Sequence, residues 1–201
     1  MSELTILQAI RLKGRVSEAD VAATVGEDPT SVAATIAQLN DAGQVVAGKT
    51  LKVSPEGRAR LTELLAEERS KIDPTAIATV YEDFRGVNAE FKALVSDWQL
   101  KGGEPNSHNN TEYDAAVLAR LDAVHERVLP IVASAAAQVP RLHAYADKLR
   151  AALSKLKAGE TIWFTRPIID SYHTVWFELH EELILAAGLT RESEAKAGHA
   201  Q

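Results

Sequence analysis

Residues 16–53 are divided by helix-starting and helix-ending residues into short segments, and this division constrains the fold more than any other feature. Ser17 and Asp28 are typical residues at helix starts, because their side-chain oxygens accept hydrogen bonds from the free backbone N–H groups of the first turn. Gly26 and Gly43 are typical helix ends, because glycine adopts the left-handed conformation at low cost. Apolar residues recur at helical spacing between these signals, which predicts two short helices in succession.

A predicted hairpin and two flanking helices complete the pattern. The β-rich runs 44–47 and 50–53 surround a Gly-Lys turn and predict a small β-wing. Apolar spacing predicts one helix before the pair, over residues 4–13, and another after the hairpin, over residues 55–71. The resulting order of elements predicts a winged helix-turn-helix domain over residues 1–72.

Two segments of this domain resemble a known family. LNDAGQV at 39–45 and VSPEGRARL at 53–61 resemble the recognition-helix end, wing and following helix of MarR-type winged-helix regulators. The resemblance covers about residues 3–70, and it implies that this domain binds duplex DNA. The chain departs from the family pattern in one respect, since it has no Lys or Arg between Pro29 and Asn40, on the predicted recognition helix.

The outward face of this helix is predicted to enter the major groove of duplex DNA. There an amide side chain bonds adenine, hydroxyls reach phosphates or thymine methyl groups, and nearby basic side chains neutralise phosphates. The predicted DNA-binding residues are Thr30, Ser31, Ala34, Thr35, Gln38, Lys49, Lys52 and Arg15. Because the helix itself lacks basic residues, a winged helix that contacts only proteins is the alternative interpretation.

The rest of the chain is predicted to be a helical bundle over residues 73–190, followed by a flexible tail over residues 191–201, so that the fold class is mainly α. Between Ile77 and Trp98 apolar residues alternate every three and four positions, which is the heptad seam of one long helix. Such a helix packs either inside the bundle of its own chain or against a second copy of the chain.

Three further helices are predicted after that one. Thr111 begins a helix that Pro130 is expected to kink or end, and apolar spacing predicts another helix over residues 142–156. Pro167 suits the first turn of the last helix, since proline at that position loses no intrahelical hydrogen bond.

The last predicted helix and the segment before it combine aromatic rings with a few polar groups. This is the composition of a small-molecule pocket, although an ordinary core with hydrogen-bonded hydroxyl and indole groups has the same composition. DSYHTVWFELHEELI at 170–184 resembles actinobacterial proteins in which a helical domain follows a winged helix, some labelled MarR-like and some resembling appendages of phosphoenolpyruvate-utilising proteins. The candidate ligand-binding residues are Trp163, Arg166, Asp170, Tyr172, His173, Trp176 and His180.

Composition limits the remaining chemistry. The chain has no cysteine, so disulfides, thiolate metal ligands and thiol nucleophiles are excluded. His173 and His180 are seven residues apart, about 10 Å along a helix, which does not favour a shared metal ion. Glu178, Glu181 and Glu182 are expected to form a solvated face, and no catalytic constellation is recognisable. We therefore expect no metal, no cofactor and no enzymatic activity.

These expectations combine into one functional hypothesis. No run reaches the roughly 18 apolar residues that span a bilayer, and the N-terminus does not resemble a signal peptide, so we expect a cytoplasmic protein without membrane contact. The hypothesis is a homodimeric transcriptional regulator whose helical domain responds to a small-molecule effector. The alternative is a non-catalytic accessory module that docks onto a metabolic enzyme of the phosphoenolpyruvate-utilising type.

Overall fold

The structure is a computed structural model, and it describes residues 2–198. The chain divides into two compact units, Met1–Lys71 and Ile72–Gln201, and each has its own hydrophobic core. Both are mainly helical, which confirms the predicted mainly α class. Within residues 2–198, no helix has the length and apolar character that crossing a bilayer requires.

The first unit contains four helices and a two-stranded hairpin among its described residues. Ser17 accepts a hydrogen bond from the N–H of Asp20 at 3.1 Å, and Asp28 accepts one from the N–H of Ser31 at 2.9 Å, so both predicted helix starts are confirmed. The elements are α1 (Glu3–Lys13), α2 (Glu18–Val25), α3 (Pro29–Asp41), β1 (Val45–Val46), β2 (Lys52–Val53) and α4 (Pro55–Arg69).

The hairpin is antiparallel, with Val46 opposite Lys52. An isolated antiparallel bridge between Val16 and Leu51 joins the segment before α2 to the same small sheet, through a hydrogen bond of 2.8 Å from the N–H of Leu51 to the carbonyl of Val16. Because Val16 and Leu51 are both buried, this bridge attaches the hairpin to the core beneath the helices.

The start of α4 is fastened to the turn between α3 and β1. The Ser54 hydroxyl donates to the carbonyl of Gly43 at 2.7 Å and accepts from the N–H of Gly57 at 2.9 Å. A Cβ atom on Gly57 would lie 1.9 Å from the carbonyl oxygen of Gln44, so only glycine allows this approach of helix to backbone.

The second unit is a helical bundle. A short antiparallel hairpin joins its first two helices, and a 3₁₀ turn at Pro140–His143 joins the second to the third. The elements are α5 (Pro74–Gln99), β3 (Leu100–Lys101), β4 (Glu104–Pro105), α6 (Thr111–Gln138), α7 (Ala144–Lys157), α8 (Ile162–Thr165), α9 (Tyr172–Ala186) and α10 (Arg191–Lys196).

The predicted seam of α5 faces the core of its own chain. Its residues are at most 7 % exposed, and they pack with α6, α7 and α9 in one hydrophobic cluster. Of the two partners predicted for this helix, the structure therefore selects the bundle of the same chain. The seam consists of Ile77, Val80, Phe84, Val87, Phe91, Leu94 and Trp98.

The structure excludes one of the two outcomes expected at Pro130, the end of the helix, and contradicts the expectation for Pro167. Pro130 does not end α6, which continues to Gln138. Pro167 was predicted in the first turn of the last helix, but that is wrong, because it lies in the loop between α8 and α9. Ile168 has φ +79°, a left-handed conformation that a helix cannot include, and Ser171 is the residue that caps the start of α9.

The flexible tail predicted from residue 191 is also wrong over its first part. Thr190 and Ser193 form a reciprocal capping box that begins α10. The side chain of Glu194 is buried in the second unit, which fixes this short helix to the bundle. Residues 199–201 of the predicted tail lie outside the described residues.

Candidate functional site

The predicted DNA-binding face of α3 is a surface of the first unit. Thr30, Ser31, Ala34 and Gln38 are exposed, and Thr35 is half-buried. The opposite face of the same helix is buried in the core, as the apolar spacing predicted. The helix therefore presents a polar, uncharged face to solvent.

Two of the hydroxyls on this face are already engaged. The Ser31 hydroxyl donates to Asp28 at 3.1 Å, and the Thr35 hydroxyl donates to the carbonyl of Ser31 at 3.0 Å. Each oxygen retains lone pairs that accept hydrogen bonds, but its proton is used within the helix. Because a phosphate oxygen needs a donor, neither of these two hydroxyls serves one in its present orientation, whereas the Gln38 amide is a donor on this face.

Three basic residues lie in or beside the hairpin. Arg15 directly precedes Val16, whose backbone is bridged to Leu51, and Lys52 directly follows Leu51. Lys49 lies in the hairpin turn, and all three side chains are exposed. Exposed positive charges on one part of a surface are able to neutralise phosphates.

Other basic residues of the first unit are held by neighbouring side chains. The guanidinium of Arg60 contacts both carboxylate oxygens of Glu3 at 3.1 Å and a carboxylate oxygen of Glu63 at 3.2 Å. These carboxylates raise the pKa of Arg60 and neutralise its charge. Arg58 donates to the carbonyl of Val53 at 3.3 Å. Arg60 therefore adds little positive charge to the surface, whereas Arg58 keeps its charge next to the hairpin.

The second unit contains an aromatic cluster between α5 and α9. The rings of Phe91 and Trp176 stack with centroids 4.2 Å apart, and Tyr172 lies 5.6 Å from Phe91. The buried indole N–H of Trp176 donates to Asn88 at 2.9 Å, and the hydroxyl of Tyr172 contacts Nδ1 of His125 at 3.1 Å. The polar atoms of these aromatic side chains are therefore satisfied inside the core.

A cavity of about 270 Å³ opens beside this cluster, and we name it the α5–α9 pocket. Small-molecule sites in proteins have volumes of about 300–1,000 Å³, so this pocket suits a compact ligand. Its lining residues are Asn88, Phe91, Lys92, Val95, Ser96, Gln99, His173, Trp176, Phe177 and His180.

The structure brings together only three of the seven predicted ligand-binding residues, His173, Trp176 and His180. Tyr172 lies behind the pocket wall and is fully buried. The other three lie outside the pocket lining. Trp163 belongs to α8, and the ammonium of Lys155 lies 3.3 Å from the centroid of the Trp163 ring. Arg166 is exposed in the loop that follows α8, and Asp170 is half-buried at the end of that loop.

Both imidazoles of the pocket are uncharged at neutral pH. Burial lowers the pKa of His173, and burial together with the positive charge of Arg191 lowers the pKa of His180 to about 4. Lys92 is therefore the charged residue of the lining at neutral pH, and no carboxylate accompanies it among the described lining residues.

The α5 side of the pocket was missed by the sequence reasoning. Asn88, Lys92 and Ser96 follow one another at four-residue spacing, which is a polar stripe beside the apolar seam. The signal was present in the sequence, but a polar stripe on a helix more often faces solvent. Only the position of α9 turns this stripe into a pocket wall.

The expected solvated face of glutamates is wrong for two of its three members. Glu178 and Glu182 are both 2 % exposed. Arg141 contacts Glu182 at 2.6 Å, and Lys148 contacts Glu178 at 3.8 Å. Burial and these two carboxylates raise the pKa of Tyr145 well above its usual value. The face of α9 opposite the pocket is therefore a buried ionic cluster.

No protein family, curated protein or solved structure matches the chain. Within residues 2–198, no three histidine, aspartate or glutamate side chains converge in a way that would hold a metal ion.

Proposed function

We propose that the chain is a cytoplasmic transcriptional regulator whose first unit is a winged helix that binds duplex DNA. The capped pair α2 and α3, with the exposed polar face of α3 and the adjacent hairpin, supports this assignment. The observation that carries it is that Arg15, Lys49 and Lys52 are all exposed in or beside the hairpin, where their charges are suited to contact a polyanion.

In this proposal α3 lies in the major groove and the hairpin contacts the phosphate backbone. Gln38 reaches a base edge, whereas Arg15, Lys49 and Lys52 neutralise phosphates. Two copies of the chain bind together, with their α3 helices about 34 Å apart to match successive grooves. Since the seam of α5 is buried in its own chain, dimerisation uses other residues.

The α5–α9 pocket is the proposed effector site of this regulator. Its ring-lined wall, polar stripe and single charged residue, Lys92, are the features of a site that orients a small polar ligand. An effector acts by binding more tightly to one of two conformations of the dimer, which changes the fraction that fits the operator.

The test is binding of the purified full-length protein to a fluorescently labelled duplex, measured by anisotropy at several salt concentrations. A regulator binds with an affinity that falls steeply as salt rises. Substitution of Arg15 or Lys52 by glutamine is expected to weaken binding and to lower the salt slope by about 0.9 for each lost phosphate contact. Lys71→Gln is the matched control, since it removes one positive charge from a lysine that already pairs with Glu67 at 3.0 Å.

The competing proposal is an accessory module whose first unit docks onto a metabolic enzyme. The absence of Lys and Arg from α3 and the exposure of Val46 in the hairpin, at 56 %, favour it. The same titration separates the two proposals. An accessory module shows no salt-dependent duplex binding, and Arg15→Gln and Lys71→Gln then give identical curves.

A further inference from the structure

A continuous chain of buried hydrogen bonds connects the α5–α9 pocket to α10. The Tyr81 hydroxyl, on α5, donates to Oε2 of Glu194 on α10 at 2.7 Å. The same hydroxyl oxygen lies 3.2 Å from Nε2 of His180, a residue of the pocket lining. All three side chains are buried, and the chain of contacts therefore crosses α9, α5 and α10 away from solvent.

The direction of these hydrogen bonds follows from the number of protons. A hydroxyl has one proton, and the charged Glu194 carboxylate can only accept, so the Tyr81 proton points to Glu194. Burial and the Glu194 carboxylate raise the pKa of Tyr81, so the phenol keeps that proton at neutral pH. The contact between Tyr81 and His180 then requires that Nε2 of His180 donates to the hydroxyl oxygen.

The tautomer of His180 is thereby fixed. Its pKa of about 4 means that the ring is neutral at pH 7 and carries one proton, which lies on Nε2. Nδ1 is left with a lone pair, and no group among the described residues is hydrogen-bonded to it. With α10 in place, His180 is therefore a hydrogen-bond acceptor at Nδ1.

Removal of Glu194 reverses this pattern. Without the carboxylate, the Tyr81 hydroxyl is free to donate to Nε2, because an uncharged imidazole nitrogen is the remaining acceptor beside it. The His180 proton then moves to Nδ1, and Nδ1 becomes a donor. The position of α10 thus changes the hydrogen-bonding character of a pocket residue without any change in the position of α9.

We propose that docking of α10 sets the tautomer of His180, so that the C-terminal helix selects between ligands that donate a hydrogen bond to this residue and ligands that accept one from it. This inference rests on the proposed role of the α5–α9 pocket as the effector site. It does not depend on DNA binding by the first unit.

The surrounding charges are consistent with α10 as the movable part. On α10 itself, Arg191 pairs with Glu181 and lies 4.4 Å from the ring centroid of Phe177 at the pocket rim. From α5, Arg85 approaches Glu194 at 3.8 Å, and Lys92 also lowers the pKa of His180. α10 has six residues, of which Glu194 is buried, whereas α9 has fifteen residues, of which ten are buried, so α10 is released at lower cost than α9.

The experiment is long-range ¹H–¹⁵N correlation NMR of the uniformly labelled full-length protein at neutral pH, with His180 assigned by loss of its signals in His180→Gln. The nitrogen that carries the proton is distinguished from the bare nitrogen by its ¹⁵N shift. We expect the proton on Nε2 in the wild type and on Nδ1 in a substantial fraction of Glu194→Ala. Glu192→Ala is the matched control, because Glu192 lies on the same helix and pairs only with Lys196 on the surface.

Hydrogen exchange of α10 measured by mass spectrometry provides the second readout. A hydrogen bond to a charged group contributes enough that its loss in Glu194→Ala should accelerate exchange in α10 by roughly ten- to hundredfold. A wild-type proton on Nδ1, or a Glu194→Ala protein that exchanges faster in α10 yet keeps the proton on Nε2, would overturn the inference. If Glu194→Ala does not fold, Glu194→Leu takes its place, since leucine also removes the acceptor of the Tyr81 proton, and a ring that stays fully protonated on Nε2 in that variant has the same meaning. If the protein does not bind duplex DNA, the proposed role as a regulator is refuted, but the result on the His180 tautomer is unaffected.

Discussion

Acid is expected to destabilise the second unit through His180. The unfolded imidazole takes up a proton as the pH falls through about 6.5, whereas the folded one does so only near a pKa of about 4. Between these two values the unfolded state binds more protons, so the free energy of unfolding decreases as the pH falls. Burial also lowers the pKa of His125 and His173, and both act in the same direction.

The magnitude follows from the size of the shift. Each pH unit within the window changes the free energy of unfolding by up to about 1.4 kcal/mol for one group. Between about pH 7.5 and about pH 5, His180 alone accounts for roughly 1–2 kcal/mol, where the lower figure allows for partial solvent screening. This range lies above the titration of ordinary carboxylates, so the histidine contribution is separated from them.

Urea unfolding followed by tryptophan fluorescence measures this effect in the second unit alone, because Trp98, Trp163 and Trp176 are the three tryptophans of the chain. We expect the wild type to lose about 1–2 kcal/mol more stability than His180→Gln between the two pH values. Gly86→Ala, which adds a methyl group in open space, serves as the control and should change stability equally at both. Equal pH dependence of wild type and His180→Gln would show that His180 titrates at its ordinary pKa in the folded protein, and the argument for its neutral ring would fail.

Two further predictions concern buried contacts. Gly57→Ala should destabilise the first unit by about 1–3 kcal/mol, because the added Cβ meets the backbone of Gln44, whereas Gly48→Ala should be nearly neutral. Hydrogen exchange of peptides from residues 2–71 measures both effects. Equal exchange in the two variants would contradict the close approach of Gly57 to Gln44. Glu182→Gln should cost the second unit about 3–5 kcal/mol, since it removes the buried carboxylate that faces the Arg141 guanidinium at 2.6 Å, whereas the exposed Glu192→Gln should cost less than about 1 kcal/mol. Urea midpoints from tryptophan fluorescence compare these two, and a Glu182→Gln protein as stable as the wild type would refute the ion-pair argument.

Helix starts in the first unit were predictable because their causes are local. Ser17 and Asp28 each accept a hydrogen bond from an N–H three residues away, so the signal and its effect lie in the same short segment. At Pro167 the same local rule failed. The helix starts five residues after Pro167, because Ile168 is left-handed and Ser171 caps α9. The packing of the loop between α8 and α9 decides this start, and the residues next to Pro167 do not reveal that packing.

The burial of Glu178 and Glu182 was not predictable from their own segment. A run of glutamates on a helix usually faces water, since burying a charge without a partner costs several kcal/mol. Arg141 lies 41 positions before Glu182 and Lys148 lies 30 positions before Glu178, and nothing in local periodicity links the two segments. The same reason explains why Lys92 was missed, because its role in the pocket depends on a helix far away in the sequence.

The position of α9 between these two environments decides which element responds to a ligand. On one side, buried ion pairs from Glu178 and Glu182 hold α9, and breaking either pair is costly. On the other side, α9 is connected to α10 by His180 through the Tyr81 hydroxyl and by Glu181 through its partly buried pair with Arg191. A small ligand makes few contacts, so the free energy it gains on binding is limited. It can therefore shift only a conformational equilibrium whose free-energy difference is no larger than that gain. Release of α10 meets that condition and displacement of α9 does not. An effector that accepts a hydrogen bond from Nδ1 of His180 should therefore be detected first as faster hydrogen exchange in residues 191–196, and an effector that donates to Nδ1 as slower exchange there.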